Sequence, residues 1–111
     1  MDKFVGQNVQ NITLKKQSDV VIRKVLSVEA TVTLPDGVDA LEPGQVLITV
    51  DGGITFNVVD ADDEANGILC EALTETSKVE VLVIGAVKAR YLVGLEDAHK
   101  PHLFTNKIIL K

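Results

Sequence analysis

Apolar and polar residues alternate along the first long apolar segment of the chain, residues 20–34. Its even positions are Val20, Ile22, Lys24, Leu26, Val28, Ala30, Val32 and Leu34. A period of two is typical of a β-strand with one buried face. At about 3.3 Å per residue the segment exceeds the usual strand length, so a bend or bulge is predicted near Ser27. The tripeptide Pro35-Asp36-Gly37 then predicts a turn.

Two further apolar segments, residues 45–50 and 54–59, flank the tripeptide Asp51-Gly52-Gly53. These turn residues tolerate the positive φ that a tight hairpin requires. The pattern therefore predicts a β-hairpin.

Residues 79–84 are apolar except for Glu80. A strand that is apolar on both faces is either central in its sheet or covered by a neighbouring subunit. Val79, Val81 and Val83 are therefore the candidate subunit interface. Residues 91–103 contain Gly94 and Pro101 and predict a loop with at most a helical turn, and residues 106–110 predict the last strand.

The first 18 residues are rich in Asn, Gln and Lys and have only scattered apolar positions. Such a segment buries too little surface on its own to offset the entropy of ordering it. We expect residues 1–18 to be a flexible arm that binds a partner, and residues 19–111 to be one β-rich body. The arm offers these apolar side chains to a partner: Phe4, Val5, Val9, Ile12 and Leu14.

Composition narrows the class of protein. A chain of 111 residues is long enough for one domain, and it has no apolar run long enough to span a membrane. Residues 1–18 contain three basic residues and one acidic residue, whereas the remainder contains 8 basic and 15 acidic residues. Nucleic-acid binding depends on neutralising phosphates with basic side chains. The acidic charge of residues 19–111 therefore argues against a nucleic-acid partner.

The sequence contains no recognisable catalytic or cofactor-binding motif, so we expect neither an enzyme nor a cofactor. The acidic residues from Asp60 to Glu64 lack the glycine of a calcium loop and predict a solvated loop. His99 and His102 lack metal-ligand spacing and are expected at the surface. Cys70 is expected to be a small buried side chain.

The order of these segments resembles the head decoration proteins of tailed bacteriophages, the family of the phage lambda head protein D. The resemblance covers roughly residues 30–111. The matching features are the strand entry Gly44-Gln45-Val46-Leu47, the run Ala65-Asn66-Gly67-Ile68-Leu69, the strand ending Gly85-Ala86-Val87, and the short apolar C-terminal strand.

This resemblance implies a small, mainly β fold related to the β-clip class, with an extended N-terminal arm and little helix. It also implies a homotrimer, monomeric in some members until it binds the capsid. Such proteins sit on the outer capsid surface of the virion at threefold and quasi-threefold positions, where they clamp subunits of the major capsid protein. Assembly in the host cytoplasm is expected, since the N-terminus has no secretory signal pattern.

Two alternatives belong to other classes. The segment Pro43-Gly44-Gln45-Val46-Leu47 before a glycine hairpin is similar to a biotinyl or lipoyl carrier module. Such a module needs a lysine at the hairpin tip, and this chain has none between Lys24 and Lys78. The other alternative is a structural component of a phage tail or baseplate, which the sequence does not distinguish from a decoration protein.

Overall fold

The structure, a computed structural model, describes residues 16–111. The described residues form one mainly β domain, as predicted. Its elements are α1 (Gln17–Val20), β1 (Val21–Val32), β2 (Val46–Ile48), β3 (Thr55–Val58), β4 (Gly67–Leu69), β5 (Ser77–Val87), a 3₁₀-helix (Ala89–Tyr91), α2 (His99–Thr105) and β6 (Ile108–Leu110).

Five of the strands close into a ring. They follow the order β1-β3-β2-β4-β5, and β1 pairs again with β5. The β1–β3 pair is parallel and the other pairs of the ring are antiparallel. Strand β6 lies outside the ring and pairs in parallel with the end of β5, at Gly85, Ala86 and Val87. Residues 79–84 were predicted to form a strand that is either central or covered by another subunit, and β5 is central because it has neighbours on both sides.

The apolar core has two layers, because successive residues of each ring strand point to opposite faces. All five ring strands contribute to the interior layer, which contains Ala30, Val32, Leu41, Leu47, Phe56, Leu69, Leu73, Val79 and Val81. The outer layer is covered by α1, α2 and β6 and contains Val20, Val46, Ala65, Ile68, Cys70, Leu82, Val87, Leu103 and Ile108. Cys70 is buried there, as predicted.

Strand β1 confirms the predicted irregularity but not the predicted burial along its whole length. Its register with β5 shifts between Leu26 and Ser27, where the bulge was expected. Ala30 and Val32 are buried inside the ring, whereas Ile22 and Leu26 are about half exposed. The reason is that the first half of β1 extends, together with the end of β5, beyond the closed ring.

The predicted hairpin is formed by β2 and β3, which pair antiparallel at Leu47–Val58 and Ile48–Asn57. Gly52 and Gly53 in its loop have φ of 81° and 98°. The Asp51 carboxylate accepts hydrogen bonds from the backbone N–H groups of Ile54 and Thr55, at 3.1 and 3.0 Å. These bonds order the loop between the two strands.

His99 is buried at the start of α2, so its prediction as a surface residue is wrong. The backbone N–H of Glu96 donates to its Nδ1 at 3.0 Å, which places the ring proton on Nε2. Nε2 lies 2.7 Å from the backbone oxygen of Asp60 and donates to it. The ring thus ties α2 to the acidic loop, a contact between residues far apart in sequence. His102, by contrast, is partly exposed.

The remaining predictions for loops agree with the structure in most respects. Asp60, Asp62 and Glu64 are exposed, as expected of a solvated loop. The predicted helical turn within residues 91–103 is the start of α2, which continues to Thr105. No helix within residues 16–111 is long and apolar enough to cross a membrane.

Candidate interaction surface

The first half of β1 has a free edge. Strand β5 pairs with one edge of β1 from Val21 to Val32, whereas β3 pairs with the other edge at Thr31 and Val32. Before Thr31, no strand in the described part of the chain lies along that second edge. A free edge presents unpaired backbone N–H and C=O groups to which another strand can add.

An apolar groove crosses one face of the sheet, from β1 over β5 to β6, and nothing within residues 16–111 covers it. It has a volume of about 420 Å³. Its apolar side chains are Val25 from β1, Ile84 and Ala86 from β5, Ile109 from β6 and Phe104 from α2. Val25 and Phe104 are 58% and 68% exposed. Exposed apolar side chains grouped in this way are typical of interaction surfaces. We call this feature the β1 groove.

Close packing at Gly85 shapes the floor of the β1 groove. A side-chain Cβ at this position would lie 2.2 Å from the backbone oxygen of Arg23. Gly85 therefore lets β5 approach β1 while its N–H donates to the oxygen of Lys107 at 3.1 Å. The three strands meet at one narrow place because residue 85 has no side chain.

The end of α2 brings Phe104 and Ile109 to the same groove. Lys107 has a φ of 68°, the left-handed conformation that commonly ends a helix, and its N–H donates to the oxygen of Phe104 at 2.9 Å. This turn leads directly into β6, where Ile108 is buried and Ile109 lines the groove.

The charged residues that line the β1 groove are both basic, although the whole chain has a net charge of −5. They are Arg23 and Lys107, and neither forms an ion pair with another described residue. The groove therefore combines an apolar floor with a positively charged rim.

A polar cluster around Glu80 lies on the opposite face of β1. Lys24 Nζ and Ser27 Oγ each lie 2.7 Å from Glu80 Oε2, and Gln17 Nε2 lies 2.9 Å from Oε1. These hydrogen bonds, first that of Lys24 and then that of Ser27, lower the pKa of the Glu80 carboxyl to about 2. Burial raises the pKa of the neighbouring Cys70 thiol to about 12, so it is not a reactive thiolate. The cluster ties α1 and β1 to β5.

We expect the Glu80 cluster to make stability depend on acidic pH. Because the pKa of Glu80 is lower in the folded state, its contribution is complete above about pH 5 and is lost as the pH falls towards 2. Urea unfolding at each pH measures this. Glu80→Gln should be less stable than the original protein at pH 7, and the gap should close near pH 2.

The matched control for this prediction is Glu75→Gln, since Glu75 is exposed. The difference in free energy of unfolding between Glu75→Gln and the original protein should be the same at every pH. A gap for Glu80→Gln that is the same at pH 7 and pH 2 would contradict the assignment.

The structure places the predicted site residues as follows. Phe4, Val5, Val9, Ile12 and Leu14 lie outside the described residues, so arm binding stays a prediction. Val79 and Val81 are buried in the interior layer of the core, which accounts for the apolar character of β5 without a second subunit. Val83 is partly buried and is the one of the three with more than marginal exposed surface. A subunit interface on β5 stays a prediction. Val81 is fully buried within the chain, so such an interface does not include it.

Two apolar residues in the sequence pointed to the groove, but neither fits the alternation that predicts β1. Val25 is apolar at an odd position of a strand whose buried face was assigned to even positions. Phe104 is an aromatic residue between the segment predicted as loop, residues 91–103, and the predicted last strand, residues 106–110. No periodicity links these two positions, because they belong to different elements.

No group of three or more His, Cys, Asp or Glu side chains within residues 16–111 is arranged to hold a metal ion. The fold and the groove thus define a small β-ring protein with an exposed, basic-rimmed apolar surface. No family model, curated protein or solved structure matches the chain.

Proposed function

We propose that this protein is a phage head decoration protein. It binds the outer surface of the expanded capsid at threefold and quasi-threefold positions and clamps neighbouring subunits of the major capsid protein. The support is the sequence resemblance, whose motifs lie on β2, β4, β5 and β6 of one connected sheet.

The observation that carries this proposal is the free edge of β1 beside exposed apolar side chains. A decoration protein needs a stable body and a surface that attaches to another protein, and strand addition supplies such attachment through backbone hydrogen bonds. Residues 1–15 lead through α1 into this same strand. The arm and the free edge therefore belong to adjoining parts of the chain.

We also propose that the protein acts as a homotrimer on the capsid. Val79 and Val81 are buried within the chain, so the contacts between copies involve other residues. A stable dimer, measured by light scattering of the free protein, would argue against this proposal.

The proposed function is tested by adding the purified protein to expanded heads that lack it. We expect saturable binding, measured by gel densitometry of purified particles, and retention of DNA at a higher temperature than in undecorated heads. Heads that bind none of the protein would contradict the proposal. Binding to tails instead of heads would favour the tail or baseplate alternative.

A further inference from the structure

We propose that the loop between β2 and β3 of one copy of this chain inserts into the β1 groove of a second copy. Residues 50–54 of this loop combine two exposed apolar side chains with a carboxylate, and the groove combines an apolar floor with two cations. The contact is inferred from these two surfaces. Only the closure of three copies into a ring rests on the proposed homotrimer.

The β2–β3 loop carries apolar side chains that nothing within residues 16–111 covers. Val50 is 88% exposed and Ile54 is 71% exposed. Together with Phe104 of the groove, they are the three most exposed large apolar side chains of the described residues. Burying such side chains against one another removes apolar surface from water, which favours association.

Hydrogen bonds hold the β2–β3 loop in one shape. Asn66 clamps the backbone of Thr49, because its Oδ1 accepts from the N–H of Thr49 at 2.9 Å and its Nδ2 donates to the oxygen at 3.1 Å. The Thr49 hydroxyl donates to Asp51 Oδ1 at 2.8 Å and accepts from the N–H of Gly53 at 3.0 Å. A loop that is ordered before it binds loses less entropy on binding.

The charges of the two surfaces are complementary. The hydrogen bonds from the backbone of Thr55 and the hydroxyl of Thr49 hold the pKa of the Asp51 carboxyl below its usual range, so it is ionised at pH 7. Its Oδ2 accepts no hydrogen bond from another described residue. Arg23 and Lys107 on the groove form no ion pair with a described residue. Opposite charges on the two surfaces favour this pairing and fix its orientation.

The loop of a chain does not occupy that chain's own groove. No residue of the loop is among those that line the groove, so both surfaces are free within one copy. The groove volume of about 420 Å³ suits the tip of a loop, since pockets of about 300–1,000 Å³ hold small ligands. A contact between two different surfaces is heterologous, and a closed ring fills every loop and every groove.

Two variants of the full chain each disable one of the surfaces. Val50→Lys puts a cation on the loop, and Phe104→Asp removes an apolar wall of the groove and adds an acid there. Each should weaken self-association by about tenfold or more, measured by sedimentation equilibrium. Val38→Lys is the matched control, because Val38 is an exposed apolar residue of the turn after Pro35, outside both surfaces.

Mixing the two variants tests whether the contact joins loop to groove. Val50→Lys keeps an intact groove, and Phe104→Asp keeps an intact loop. The mixture should therefore form a complex of one chain of each kind, and no larger assembly. A mixture that associates no better than either variant alone would overturn the proposal. Urea unfolding of each variant checks that it is folded.

A photo-crosslinking residue at position 50, with position 38 as control, then locates the contact in the full chain. Crosslinks to residues 104–109 of a second copy support the proposal. It is overturned by a chain that stays monomeric at millimolar concentration, by crosslinks that join position 50 only to the same loop of the second copy, or by equal weakening with Val38→Lys.

The outcomes separate this contact from the proposed function. If the groove crosslinks form but the assembly contains two copies, the contact stands and the homotrimer fails. If expanded heads bind no protein, the decoration function fails, whereas the mixing experiment in solution still decides whether the loop binds the groove.

Discussion

Removing residues 2–14 should abolish attachment of the protein to expanded heads. The deletion removes Phe4, Val5, Val9, Ile12 and Leu14, and each such side chain contributes about 1.5 to 3 kcal/mol when it is fully buried. Burial of only two of them corresponds to roughly a hundred- to ten-thousandfold in affinity. Gel densitometry of purified heads should therefore show no bound variant at concentrations that saturate heads with the full chain.

The matched control replaces Lys3, Lys15 and Lys16 with glutamine. An exposed ion pair contributes at most about 1 kcal/mol, so this variant should bind more slowly but reach nearly the same occupancy. Both variants should unfold at the same urea concentration as the full chain, since each keeps every described residue of the two core layers. Decoration by the deletion variant, together with loss of binding by the lysine variant, would show that charge and not the apolar arm drives attachment.

Gly85→Ala should destabilise the fold by about 3 kcal/mol or more, the upper end of what overpacking costs. The added methyl group would lie 2.2 Å from the backbone oxygen of Arg23 and 3.1 Å from Cδ1 of Leu82. A backbone oxygen in a paired strand cannot rotate away, so β1 or β5 must shift. That shift disturbs the hydrogen bond from Gly85 to Lys107 as well. Urea unfolding of the purified variant measures the loss.

The same substitution at Gly37 is the control for Gly85→Ala. Gly37 has a φ of 80° and no heavy atom within 4 Å of the added carbon. Its cost should be limited to the backbone strain of about 1 to 2 kcal/mol. If the two variants unfold at the same urea concentration, the lack of space between residue 85 and the backbone of Arg23 does not add to the cost of the substitution.

Strand positions were predictable because they depend on local patterns. The β2–β3 hairpin follows from the glycines at 52 and 53, and the irregularity of β1 follows from its length. The burial of Cys70 follows from its apolar neighbours. Each of these features is encoded within a few residues, since turn chemistry and side-chain alternation act over that distance.

The errors arose where a residue's environment comes from distant parts of the chain. His99 has the polar neighbours of a surface residue, yet its ring is buried against the backbone of Asp60, 39 positions earlier. The apolar pattern at Val79 and Val81 left open whether a second subunit or the chain itself covers them, and only the structure shows that the ring surrounds them.

The sequence by itself determined the mainly β class, the hairpin and a strand at residues 79–84, because periodicity and turn residues carry that information. The tertiary structure alone decided that five strands close into a ring, that the first half of β1 extends beyond it, and that Val25, Phe104 and Ile109 meet in one groove. These features depend on which strands pair and in what register. Pairing joins residues that are far apart in the chain, and the pattern along any single segment does not specify it.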